Sequence, residues 1–172
     1  MNVIEFRKKY QGFLEINPKV EIKDSYSLSL VYTPGVGESS LAIKDNPEKA
    51  YELTNKANSI AIITDCSDFP DFETINPLSA LPHIESKAVL YKELAGIDAY
   101  PVVVNTKDIE EIAETIVNLM PNFAGFDAEA MLPERSATLE NMLRSKEIPI
   151  FWSYRSPHLF LALENTGLLN RI

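Results

Sequence analysis

The chain has 172 residues, 45% hydrophobic and 24% charged, which suits one globular domain with a sizeable core and leaves two full domains a squeeze. Its 25 acidic against 16 basic residues give a formal charge of −9, and no basic run exceeds Arg7-Lys8-Lys9, so neither a nucleic acid nor an anionic membrane is an expected partner. Cys66 is the single cysteine, which excludes an internal disulfide and fits a reducing, cytoplasmic setting; no signal peptide opens the chain and no run of about 20 apolar residues offers a membrane span.

From Val3 to Leu14 the residues Ile4, Phe6, Tyr10, Phe13 and Leu14 recur at roughly helical spacing, predicting a helix within an N-terminal arm over residues 1–23. Asp24-Ser25 punctuates the chain before Leu28-Ser29-Leu30-Val31-Tyr32, which runs into the rigid turn Thr33-Pro34-Gly35-Val36-Gly37. Asn46-Pro47-Glu48 predicts a helix start, with Asn46 as cap and the helix continuing through Leu53 toward Lys56. The β-branched run from Ser59 to Thr64 reads as a strand buried on both faces, with Asp65 at its end. A helix through Ile84, Ala88, Tyr91 and Leu94, closed by Gly96, leads to a strand from Ala99 to Val104. Thr106 is the expected cap of the next helix, where Ile109, Ile112, Ala113, Ile116, Val117 and Met120 share a face and Glu110, Glu111 and Glu114 face out. A third strand is expected from Asn122 to Phe126, a helix from Glu134 to Lys146, a fourth strand from Ile148 to Trp152, and a last helix opening at Pro157. The expectation is an α/β fold over residues 24–172, a largely parallel four-stranded sheet flanked by helices, with its site at the carboxyl ends of the strands.

Phosphate-cradling loops need closely spaced glycines, and the six glycines here are scattered; Thr33-Pro34-Gly35-Val36-Gly37 reads as a stiff turn. Only His83 and His158 are available to a nucleophilic triad, neither in a nucleophile-elbow setting, and His83 after Leu81-Pro82 reads as a helix-entry residue. Taken alone, Tyr32 is a core phenol and Lys87 a solvated lysine on a helix.

Three stretches change that reading: Leu30-Val31-Tyr32-Thr33-Pro34-Gly35-Val36, then Glu85-Ser86-Lys87-Ala88-Val89-Leu90-Tyr91-Lys92, then Ala95-Gly96-Ile97-Asp98-Ala99. With them the chain resembles the malic enzyme family, whose members read close to SLAYTPGVA and EGKAVLFK…AGIDA. The likeness extends through Asn122 to Glu129, where the family has FGGINLED, and Ile148-Pro149-Ile150-Phe151-Trp152, where it has IPVFHDDQHG. The resemblance implies malate oxidation with NAD or NADP, decarboxylation with Mg²⁺ or Mn²⁺ as electron sink, and protonation of the enol product. Tyr32 would then be the general acid and Lys87 the general base, if burial or neighbouring cations favour its neutral form.

The resemblance also implies metal ligands, and there the chain departs. The family's adjacent Glu-Asp pair is Glu129-Ala130 here and the later Asp-Asp pair is Ser153-Tyr154, leaving Glu129 as the one retained carboxylate and otherwise a surface or capping acid. The family loop DGTAVLGLGNIG is replaced by Asp65 to Asn76 with every glycine gone, so glycine-only conformations should be lost. The family's nucleotide domain would follow the last helix, whereas the sequence ends at Ile172, so no cofactor is expected on this chain. The leading expectation is a catalytically decayed binding or regulatory module, with a small dicarboxylate or oxo acid, a second copy or another protein as its partner. The alternative is an enzyme acting on malate or oxaloacetate, either completed by a separate nucleotide domain or using Tyr32 and Lys87 for metal-free decarboxylation or tautomerisation.

Overall fold

The computed structural model of the chain describes residues 2–69, 76–148 and 150–152. It resolves into two compact units, Met1–Leu14 with Asn58–Ile172, and Glu15–Ala57. The expected boundary between residues 23 and 24 falls inside the second unit, and the helical start of the chain belongs with the first.

The first unit is built on the β-branched run Ser59–Thr64, strand β1, which has no polar side to offer water and is buried along its whole length. Helix α5 (Pro77–Ala95), β2 (Asp98–Val103), α6 (Ile109–Leu119), β3 (Gly125–Ala128), α7 (Pro133–Arg144) and β4 (Ile150–Trp152) follow in chain order. The four strands form one sheet in the order β2-β1-β3-β4, every pairing parallel. The expected α/β class and parallel sheet are what the chain adopts.

Alternation along β1 divides the core. Ala61 and Ile63 pack with Ile112 and Ile116 of α6 and Leu139 and Leu143 of α7, whereas Ile60 and Ile62 pack with Ile84, Ala88 and Tyr91 of α5. The chain passes from β1 to β2 on one side and then returns to place β3 on the other. The carboxyl ends of β1 and β3 therefore flank a topological switch point, where such sheets open a crevice.

The helix ends follow their cap chemistry. Gly96 closes α5 in the left-handed conformation at φ 70°, as its position predicts. Asp108, not Thr106, caps α6 by accepting from the backbone N–H of Glu110 and Glu111, a carboxylate being the stronger acceptor; Thr106 receives the N–H of Asp108 and donates to Glu111. The third strand starts at Gly125 and not Asn122, because Met120–Asn122, with Pro121 inside it, forms a 3₁₀ turn. The opening helix, α1 (Val3–Tyr10), ends four residues before Leu14, where Gln11 and Gly12 take positive φ. Arg7 fixes α1 to α5. Its guanidinium donates to Pro82 O at 2.8 Å and Ser86 Oγ at 2.7 Å and lies 4.1 Å from the ring centre of Phe13. The helix expected from Pro157 lies outside the described residues.

The second unit contains α2 (Ser25–Val31), α3 (Gly35–Asp45) and α4 (Ala50–Leu53). Asp24 and Ser27 form a capping box at the start of α2, and bonding from the Ser27 backbone holds the Asp24 carboxyl below its ordinary range. The expected turn at Thr33-Pro34-Gly35 is the joint between α2 and α3. Gly35 is required there, since a Cβ would stand 2.6 Å from the carbonyl oxygen of Leu30. Asn46 caps a 3₁₀ turn, Pro47–Lys49, that leads into α4.

Among the described residues no helix is long and apolar enough to cross a membrane. Ile63 has no exposed surface and joins the central strand to both α6 and α7. Ile63→Ala should lower unfolding stability by about 3 kcal/mol in urea titration, against about 0.5 kcal/mol or less for Ile16→Ala, whose side chain is in water.

Candidate functional site

The buried positions of α5 are Ala80, Ile84, Lys87, Ala88 and Tyr91, the stripe that an amphipathic helix turns toward a sheet. Lys87 sits in that stripe. It is 7% exposed, so the solvated lysine expected from the residues alone is replaced by a buried one. The same helix spacing places His83 one turn before Lys87 and Tyr91 one turn after it.

The facing side chains come from β3 and its carboxyl end. Phe126 and Ala128 enter the core toward α6 and α7, so Asp127 and Glu129, one residue out of step, face α5. Lys87 Nζ lies 2.6 Å from Asp127 Oδ2 and also donates to Glu129 Oε2. Tyr91 donates its hydroxyl to the same Asp127 Oδ2 at 2.7 Å, and His83 Nε2 lies 3.1 Å from Glu129 Oε1. Glu129 is thus a half-buried member of an ionic cluster, not the surface or capping acid expected of it. His83 is not a helix-entry residue; it belongs to the second turn of α5 and reaches that cluster.

Electrostatics follow from burial. Asp127 has no exposed surface, and desolvation raises its carboxyl above the ordinary range even though the Lys87 ammonium pulls the other way. Burial, and then the Asp127 charge, push the Tyr91 phenol far above its ordinary range, so it remains a donor. Asp127 Oδ1 is buried and has no hydrogen-bond partner among the described residues.

The end of β1 supplies a second, separate pair. Arg135 of α7 donates from Nε to Asp65 Oδ2 at 2.7 Å, and Asp65 Oδ1 accepts from the Ser67 backbone at 2.9 Å. Cys66 between them has φ 59° and Ala130 beyond β3 has φ 50°, both in the region glycine prefers. Cys66 takes a left-handed conformation in the loop where such conformations were expected to be lost with the glycines. Two such residues at neighbouring strand ends store backbone strain of about 1 kcal/mol each.

Of the expected site residues, the structure brings Lys87 and Glu129 together. Tyr32 lies in the second unit, exposed at the end of α2, with its backbone N–H bonded to Leu28 O and its carbonyl accepting from Val36. Ser153 and Tyr154 lie outside the described residues. Ala130 has no side-chain donor atom, and its carbonyl accepts from Asp68 N at 3.0 Å. Asp127, Tyr91 and His83 were missed as site residues, although the i, i+4, i+8 spacing of His83, Lys87 and Tyr91 and the period-two spacing of Asp127 and Glu129 were both available.

These residues do not fit a hard divalent ion. Glu129 has one oxygen on His83 and the other on an ammonium, and Ala130 offers no carboxylate. Among the described residues no group of three or more His, Cys, Asp or Glu is arranged to hold a metal ion.

Removing Lys87 would leave two carboxylates facing each other in the interior. Lys87→Met should cost about 3 kcal/mol in chemical unfolding, and adding Asp127→Asn should recover part of that loss. Burial pushes the Cys66 thiol above its ordinary range, so maleimide should label it slowly in the native protein and quickly in denaturant, read by mass spectrometry.

The comparisons with known proteins agree with this architecture. Residues 11–119 match the model of the malic enzyme N-terminal domain. The NAD-dependent malic enzyme of Geobacillus stearothermophilus is 38% identical over 94% of this chain, which spans 34% of that relative; the bifunctional malic/malolactic enzyme of Bacillus subtilis is 36% identical over 98% of the chain and 41% of its own length. The crystal structure of an NAD-dependent malic enzyme from Thermotoga maritima superposes with a TM-score of 0.84 at 32% identity, over 88% of this chain and 41% of that one. The chain thus spans well under half the length of these relatives. The family model, the curated relatives and the structural likeness agree that it belongs to the malic enzyme family, as an N-terminal domain.

Proposed function

We propose that this chain is a malic-enzyme-like N-terminal domain that has lost metal-dependent chemistry and acts as a binding or regulatory module. The observation that carries the reading is the closure of Lys87 by Asp127 and Glu129 of its own chain. In the chemistry implied by the family, a lysine exchanges a proton with the substrate while a divalent ion draws electron density from the keto oxygen. Here the lysine is already engaged with carboxylates, and a metal would compete with an ammonium for Glu129. The sequence supports the same view at the other ligand positions, where Ala130, Ser153 and Tyr154 replace carboxylates. One cation against two acids also leaves little attraction for a dicarboxylate at this point. A cytoplasmic setting belongs to the same proposal, supported by the buried free thiol of Cys66.

A second reading is supported by the survival of a buried lysine beside the switch point: proton transfer on an oxo acid without a metal, with Tyr32 as the acid. Equal oxaloacetate turnover by wild type and Lys87→Ala would remove it. For the leading reading, the purified chain with malate, NAD or NADP and Mn²⁺ should form no reduced nicotinamide above background, and Mn²⁺ titration should give no saturable heat. Turnover near an ordinary enzyme rate, about 10 per second, would overturn it.

A further inference from the structure

We infer that Lys87 and Asp127 are the two ends of an intramolecular amide, a covalent tie between α5 and β3 formed by loss of one water, with Glu129 as proton carrier and Tyr91 as oxyanion donor. The inference rests on the reading that this chain does not use Lys87 as a base. It goes further, since a nitrogen held in an amide has no basicity to offer.

Geometry carries it. Lys87 Nζ stands 2.6 Å from Asp127 Oδ2, an atom bonded to Cγ, so the nitrogen starts within reach of the carbon it would attack. Both side chains are closed to water, at 7% and 0% exposure. Their surroundings are apolar: Asp127 is in register with Ile62 of β1, and Lys87 lies on the stripe that carries Ile84, Ala88 and Tyr91 into the core on that side of the sheet. A dry site favours the neutral acid and amine over separated charges, and it removes the water that opposes condensation. The remaining contacts divide the work. The Tyr91 hydroxyl donates to Oδ2 at 2.7 Å, where charge develops as nitrogen adds to Cγ. Glu129 Oε2 accepts from the same Nζ and is in place to take its proton. A buried ion pair kept for its charge alone would be expected to have both carboxylate oxygens hydrogen-bonded. Asp127 Oδ1 has no such partner among the described residues, so nothing there holds the oxygen that has to leave.

The atoms balance without a co-reactant. One ammonium proton passes to Asp127 Oδ1, leaving a neutral amine beside a carboxylic acid. Lys87 Nζ then adds to Cγ, and the carbonyl electron pair moves onto Oδ2 against the Tyr91 hydroxyl. Nζ gives a second proton to Glu129, which returns it to Oδ1 as the Cγ–Oδ1 bond breaks, water leaves and Oδ2 re-forms the carbonyl. Nitrogen keeps one of the three protons of the ammonium, and one positive and one negative charge disappear together. The amide closes the loop between α5 and β3 and restrains the unfolded chain as a disulfide would.

The test is the intact mass of the full chain, denatured after folding, followed by tryptic mapping. The wild type should be lighter than its sequence by one water, and trypsin should fail to cut after Lys87, leaving residues 57–92 joined to 108–135. Lys87→Met and Asp127→Ala should each show their full sequence mass. Asp127→Asn should lose ammonia in place of water and so reach the same final mass as the wild type. Glu129→Gln should form the link roughly a hundredfold more slowly, read as the fraction linked over days. Wild type that melts cooperatively yet stays at its sequence mass overturns the inference, and that measurement depends on no variant folding. A water loss that survives in Lys87→Met, or that maps to other residues, overturns it equally, and equal speed in Glu129→Gln overturns the mechanism as written. Malate oxidation by the chain would sink the functional reading, whereas the mass is read without any assay of activity, so the two failures are distinguishable.

Discussion

Burial of β1 on both faces is the constraint from which the rest of the first unit follows. A strand with no polar face has to be covered twice, and the chain supplies α5 on one side and α6 with α7 on the other. Covering it twice in a parallel sheet also forces the reversal of direction after β2 that puts β3 beside β1. The topological switch point at their carboxyl ends is a by-product of this winding. Lys87 reaches it because the helix that seals one face of β1 must turn a stripe of residues toward β3.

The site beside that switch point sets one ammonium against two carboxylates. A metal site needs carboxylates turned outward toward an ion, whereas Asp127 and Glu129 are turned toward a lysine of the same fold. Burying an ammonium with two acids is costly in desolvation and returns that cost only through close contacts, which is why the cluster is compact and hydrogen-bonded at Oδ2. The outcome is a polar interior whose parts are satisfied largely by one another. The strained backbones at Cys66 and Ala130 frame it, keeping loop paths that glycine would adopt without strain.

Much of the fold was legible in the sequence for plain reasons. The limits of β1 coincide with a β-branched run, and the end of α5 with Gly96, because composition and backbone conformation act locally there. The start of β3 and the cap of α6 were displaced by a few residues, since Pro121 and Asp108 compete with neighbours of nearly equal propensity. The site was legible only in part. Lys87 and Glu129 could be named from family resemblance, but their mutual contact depends on which face of β3 meets α5, a tertiary fact. Asp127 lay hidden in an apolar stretch, and an acid there is meaningful only once its lysine is known to be buried beside it.

The contact between Arg7 and α5 carries a consequence for how the chain comes to be folded. Its partners Pro82 and Ser86 lie 75 and 79 residues further along the sequence. During synthesis at about 5–20 residues per second, α1 waits on the order of ten seconds outside the ribosome before the surface it fits exists. In that interval its cationic side chains have no docking place on their own chain. α1 is therefore fastened only once α5 has been made, and that outer brace is available before β3 brings Asp127 and Glu129 to the inner face of the helix that bears the lysine.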